Sequence, residues 1–148
     1  MDYNVQQDAM AARIVWERCA PVLVQLSVCL EVRLREAHLT RLRRGGDLAR
    51  LVADQSELYG AQEGMGTTGR ENPGLPDDLL NFHYDPLACA VASGWDGAQV
   101  EELELRTRME EGVLAFPEEP GGRKTRVVTE VDGPRFEEEW LRAVASVG

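Results

Sequence analysis

His83, Tyr84 and Asp85 stand in a row before a proline in "NFHYDPLACAVASGW", residues 81–95. An imidazole or a phenol at such a place can move or donate a proton. A carboxylate beside them can hold a hard cation such as calcium or magnesium through oxygen. A second polar pair, Asp2 and Asn4, lies in the opening "MDYN". If that stretch is the end of a strand, alternate residues share a face. A carboxylate and an amide so placed suit sugar hydroxyls, because one accepts hydrogen bonds and the other both donates and accepts. Structural readings stand beside both. Asp followed by Pro is a common helix start, the carboxylate capping free N–H groups and the proline needing none. A polar chain start is often frayed. His38, among arginines, reads as a surface residue, and Asp77-Asp78 as part of a loop or a helix cap.

These side chains need elements to hold them. "AMAARIVWERC" after Asp8 predicts a capped helix with Met10 and Ile14, or Ala11, Val15 and Cys19, on its core face. "PVLVQLSVCLEV", residues 21–32, is a nearly unbroken apolar run and predicts a strand buried on both faces of a parallel sheet. A short helix through Leu39 and Leu42 ends at "RGG". A longer one follows, capped by Asp47, with Leu48, Leu51, Val52, Gln55 and Leu58 along one side. Residues 60–80, rich in Gly and Pro, predict a mobile loop. "QVEELELR" and "RKTRVVTEV" alternate and predict two half-exposed edge strands, joined by "VLAFPEEPGG" as a loop. Thr125, Val127, Thr129 and Val131 share one face. Pro134 opens a last helix carrying Phe136, Trp140 and Val144 at spacing four. The order predicts one α/β domain over residues 1–148, with mixed strand directions and helices on the sheet faces. One buried parallel strand cannot make such a sheet alone, so neighbours are missing.

Composition narrows the partners. Twenty-six acidic and 16 basic side chains leave a net charge of −10, which argues against a nucleic acid, since phosphates require a cationic face. Three cysteines, Cys19, Cys29 and Cys89, are odd in number and widely spaced. They suggest neither a disulfide framework nor a zinc site, but buried thiols in a reducing cytoplasm. No apolar run is long enough for a membrane helix, and no signal segment opens the chain. A cytoplasmic protein without a membrane partner is expected.

Two stretches read together carry a resemblance. "DYNVQQDAMAARIVWERCAPVLVQLSV" resembles the segment of inosine–uridine-type nucleoside hydrolases in which Glu-Phe-Asn precedes Asp-Pro-Glu-Ala-Ala, a helix and a buried strand. "HYDPLACAVA" resembles that family's His-Asp-Pro-Leu-Ala helix start. The tail is similar too, with two strands, the second ending in Val-Asp, then an aromatic-bearing helix. The resemblance covers nearly the whole chain but only the C-terminal half of the family's domain. It implies an incomplete nucleoside-hydrolase-like domain with a mainly parallel sheet and a C-terminal pair of edge strands. It further implies calcium-dependent hydrolysis of the N-ribosidic bond of ribonucleosides.

Residue by residue, Asp85 matches the family's calcium-ligating Asp, and Asn4 the Asn that binds ribose. Asp2 stands where Glu is usual, one methylene shorter. Tyr84 occupies the register of the motif His, with His83 one residue earlier; either is a candidate contact for the leaving base. The family's Asp-x-Asp-x-x-x-Asp-Asp motif has no counterpart here. Calcium takes about 6–8 oxygens, so Asp85 alone cannot hold it. The expectation is therefore an enzyme only with a missing N-terminal half, and an inactive chain by itself. The alternative is a non-catalytic remnant or interaction module that self-associates as a homo-oligomer.

Overall fold

A computed structural model of the chain describes residues 3–147. It comprises two units: Met1–Val28 with Ala98–Val131, and Cys29–Gly97 with Asp132–Gly148.

In the first unit the chain opens as a helical turn, α1 (Tyr3–Gln7), where a strand end or loop was expected. Asp8 then caps α2 (Ala9–Arg18) as its residue type predicts, accepting the Ala11 N–H at 2.9 Å. The buried face of α2 differs from the expected stripe. Trp16 is its buried residue, while Met10, Ile14 and Val15 are 63, 50 and 41% exposed in the order Met10, Val15, Ile14. The indole offers the largest apolar surface on the helix, and it decides the rotation. Its ring lies 5.7 Å from that of Phe116, and its Nε1–H donates to Thr125 Oγ1 at 3.2 Å.

Three strands form the sheet of this unit. β1 (Val22–Val24) pairs parallel with β7 (Arg123–Val131), and β7 pairs antiparallel with β4 (Ala98–Leu105), in the order β1-β7-β4. The sheet is mixed rather than mainly parallel. β7 is also its central strand rather than an edge. Thr125 and Val127 are buried on the predicted face, but Val128 on the opposite face is buried as well. Successive side chains of a strand point to opposite faces, and both are buried only where both faces are covered. The expected loop between the strands contains a small hairpin, β5 (Arg108–Glu110) and β6 (Val113–Ala115). Its two-residue turn has Glu111 and Gly112 at φ 50° and 81°, the twist that a tight hairpin needs.

The apolar run 21–32 does not form one strand. It breaks into β1, a helical turn α3 (Leu26–Cys29), and the approach to β2 (Arg33–Arg35). β1 is only half-buried. An apolar run has no period that separates a buried strand from a buried helical turn.

The second unit pairs β2 antiparallel with β3 (Leu79–Phe82), with an irregularity between Leu34 and Arg35. α4 (Glu36–Arg43) holds Leu39 and Leu42 in the core as predicted. Asp78 caps it from across the fold, accepting the Ala37 N–H at 3.3 Å and pairing with Arg35 at 2.7 Å. His38 is half-buried rather than a surface residue, and its Nδ1 accepts the Arg35 N–H at 3.3 Å.

α5 (Asp47–Gln62) begins after Gly46, with Asp47 as its first residue rather than its cap. It is rotated away from expectation. Ala49, Ala53 and Gly60 face the core, and of the predicted stripe Val52 packs against it, whereas Leu48, Leu51 and Leu58 face outward. Close approach explains this: a Cβ on Gly60 would lie 2.8 Å from the Leu80 side chain. The predicted 60–80 loop is largely helical, through the end of α5 and then α6 (Met65–Glu71). Its glycines mark contact rather than looseness. A Cβ on Gly69 would sit 2.2 Å from the Pro76 carbonyl oxygen.

α7 (Tyr84–Ala92) follows β3, and α8 (Gly133–Ser146) closes the unit. α8 matches its prediction in that Pro134 lies in the first turn and Phe136 is buried; Asp132, which the sequence reading did not single out, caps it by accepting the Arg135 N–H, and Leu141 is buried as well. Trp140 and Val144 pack on the same core. Among the cysteines Cys29 is buried as expected, but Cys19 and Cys89 are exposed.

Candidate functional site

The triplet lies at the step from β3 into α7. Leu79, Leu80 and Phe82 are buried and anchor the strand. The backbone N–H of His83 donates to Val32 O at 2.9 Å, and its own carbonyl receives the Leu87 N–H at 3.1 Å. That carbonyl opens the helical ladder, so His83 is the cap residue and Tyr84 the first helical residue. Asp85 therefore sits within the first turn and is not the N-cap that its type suggested. There its carboxylate is exposed, close to the positive end of the helix.

The three side chains part company. His83 turns inward: it is 4% exposed, with its ring centroid 4.3 Å from Trp140 and 5.7 Å from Phe136. Its Nε2 has no hydrogen-bond partner among the described residues. Burial, and then the nearby His38, push its pKa down to about 4. At neutral pH it is an uncharged core ring. Tyr84 turns outward: it is 39% exposed, with its ring 5.7 Å from that of Phe82. Partial burial raises its phenol pKa, and Cys29 and Tyr59 add to the rise. The phenol thus keeps its proton through the neutral range and can donate a hydrogen bond.

Among the described residues no group of three or more His, Cys, Asp or Glu side chains could hold a metal ion. Asp85 offers oxygen to a cation but belongs to no such group among the described residues. The residues of this chain do not fit a calcium site by themselves, since that ion takes about 6–8 oxygens. Asn4 is exposed on α1 in the first unit, whereas the triplet belongs to the second. Asp2 lies outside the described residues. Asn4 lies in a helical turn, so the strand that was to carry it is not found among the described residues.

No protein-family model and no curated protein matches the chain. A solved structure does: the plant nucleoside hydrolase PpNRh1, at 16% identity and a TM-score of 0.71. The fold is nucleoside-hydrolase-like. The match covers 99% of this chain and 48% of that one, so the chain spans about half the length of the structure it resembles. At such identity the likeness carries the fold and leaves chemistry to the residues. Within this nucleoside-hydrolase-like fold, the exposed pair Tyr84 and Asp85 is the chemically equipped part of the triplet. Tyr59 is an addition that the sequence did not signal. It is 42% exposed on α5 and adds to the rise of the Tyr84 phenol, and no motif in the sequence marked it.

Proposed function

We propose that this chain forms part of a site that hydrolyses the N-ribosidic bond of ribonucleosides to free base and ribose. The observation that carries the reading is the exposed Tyr84–Asp85 step after β3, in a fold like that of a nucleoside hydrolase. In this reading Tyr84, not His83, meets the leaving base. When the C1′–N bond breaks, the base departs with the bonding electrons and takes the phenolic proton, a water oxygen bonds to C1′ in its place, and the proton that the water releases restores the phenol. The raised pKa of Tyr84 supports that role, because a donor must hold its proton at the working pH. His83 positions the step from inside, as a buried ring against Trp140 and Phe136. Asp85 is one oxygen ligand of a calcium site whose other carboxylates come from outside these 148 residues, and alone the chain is inactive.

The test is reconstitution. The purified chain is mixed with a nucleoside-hydrolase segment carrying the Asp-x-Asp-x-x-x-Asp-Asp motif, and release of base from inosine and uridine is followed. Activity is expected in the mixture and absent from either part alone. Asp85→Ala should abolish it. Tyr84→Phe should lower kcat by about 100-fold, the usual scale of lost general-acid help. A silent mixture of folded parts sinks the proposal. Release by the isolated chain, removed by Asp85→Ala, would show that no outside carboxylates are needed.

A further inference from the structure

A cleft in the second unit is lined by charges of both signs. β2 carries Arg33 and Arg35, the turn before it carries Glu31, and α8 contributes Glu137. Leu75, Pro76 and Pro134 give it apolar walls, and its volume is about 480 Å³. That is within the range of small-molecule sites. Both guanidiniums are held through Nε and present their outer ends. Arg35 Nε–H donates to Asp78 at 2.7 Å, and Asp78 is itself fixed by the Ala37 N–H. Arg33 Nε–H donates to the Leu30 carbonyl at 2.7 Å. Among the described residues the terminal nitrogens of Arg35 make no hydrogen bond, and Arg33 Nη2 has only Glu31 near it, 3.5 Å away. Glu137 is half-buried. Its Oε1 accepts the Arg33 N–H at 2.9 Å, and its Oε2 has no donor among the described residues. Burial raises its pKa, and the Arg33 hydrogen bond and the charges of Arg33 and Arg35 offset that rise only in part.

We propose that this cleft binds a free α-amino acid with an apolar side chain. The ligand carboxylate meets the outer nitrogens of Arg35 and Arg33, since a guanidinium offers a carboxylate two parallel donors. The ligand ammonium meets the carboxylates of Glu137 and Glu31, and its side chain lies against Leu75, Pro76 and Pro134. Charge balance selects this class. Two arginines and two glutamates cancel, so a plain anion meets the glutamates as like charges, and a plain amine meets the arginines. A sugar or a nucleoside would cover all four charges and bring no counter-charge to any of them. A zwitterion answers both signs at once. This inference goes beyond the proposed hydrolase activity and does not depend on it.

Isothermal titration of the full chain with L-leucine, N-acetyl-L-leucine and L-leucinamide tests it. Leucine should bind one to one, and at about 10 mM it should raise Tm. The N-acetyl compound lacks the ammonium and the amide lacks the carboxylate, so each should bind at least about tenfold more weakly. Glu137→Gln, which keeps an oxygen for the Arg33 N–H, and Arg35→Gln should each weaken leucine binding at least about tenfold, with an unchanged circular dichroism spectrum. Arg50→Gln, which alters a residue outside the cleft lining, should leave it intact. Absence of leucine binding overturns the proposal, as does equal binding of the three compounds or leucine binding that survives both cleft variants. Acetate or phosphate binding as tightly as leucine would reduce the cleft to a simple anion site and overturn it too. The ligand series uses the unaltered chain, so it decides the matter even where a variant fails to fold.

Discussion

One residue separates a buried histidine from an exposed tyrosine, and that residue divides the labour of the triplet. His83 has a predictable pH signature. In the unfolded chain it takes a proton near its ordinary pKa of 6.5, and in the fold only near 4. Its contribution is therefore complete above about pH 6.5 and is lost as the pH falls toward 4, by up to about 3 kcal/mol. Chemical denaturation at a series of pH values should show this slope, and His83→Phe, which keeps an aromatic ring beside Trp140, should flatten it. An unchanged slope in the variant would place the acid sensitivity elsewhere. Tyr84 makes the complementary prediction. Since its pKa is raised, activity of a reconstituted enzyme should not fall on the alkaline side until above about pH 10, the phenol's ordinary value. An earlier alkaline limb that Tyr84→Phe leaves in place would assign the donor to another group.

At the scale of elements, small residues rather than leucines decide how the second unit packs. α5 turns its alanines and Gly60 inward because only a side with little volume can lie so close to β3. The same principle governs α6. Gly69→Ala forces a methyl into the Pro76 carbonyl, 2.2 Å away, and the backbone must move to admit it. A loss of about 2 kcal/mol or more is expected. For a chain of this size that lowers Tm by several degrees in a thermal melt. An unaltered Tm would mean that the segment between α6 and β3 gives way freely. In the first unit one large ring does the deciding, since Trp16 draws α2 against Thr125 and Phe116 at the cost of exposing Met10, Ile14 and Val15.

For the whole molecule, the central fact is a fold with too few carboxylates in one place. Asp85 is exposed and available, but among the described residues no cluster of ligands surrounds it. Isothermal titration of the chain with calcium should give little heat and no tight one-to-one binding. A tight single site would refute the ligand count and with it the need for outside carboxylates. The acidic surplus, net −10, provides weak and diffuse attraction for cations rather than a built site.

Local chemistry was legible in the sequence. Asp8 caps its helix as expected, because the capping carboxylate needs only its own first turn, whereas Asp47 and Asp85 lie one or two residues inside helices whose starts other contacts fix. The alternation of "RKTRVVTEV" marked a strand, and the spacing of Phe136, Trp140 and Val144 marked the face of α8. Together, "HYDPLACAVA" and the opening segment were enough to indicate a nucleoside-hydrolase-like fold. The tertiary structure decided what depends on neighbours distant in sequence. It broke the apolar run 21–32 at two places, made β7 a central strand, and turned the glycine-rich 60–80 segment into helix. It also chose which member of His83-Tyr84-Asp85 faces the core. Periodicity says that a helix has two sides, but only the partners of each side say which is inside. For the triplet those partners are Trp140 and Phe136, more than fifty residues away, and no local pattern could announce them.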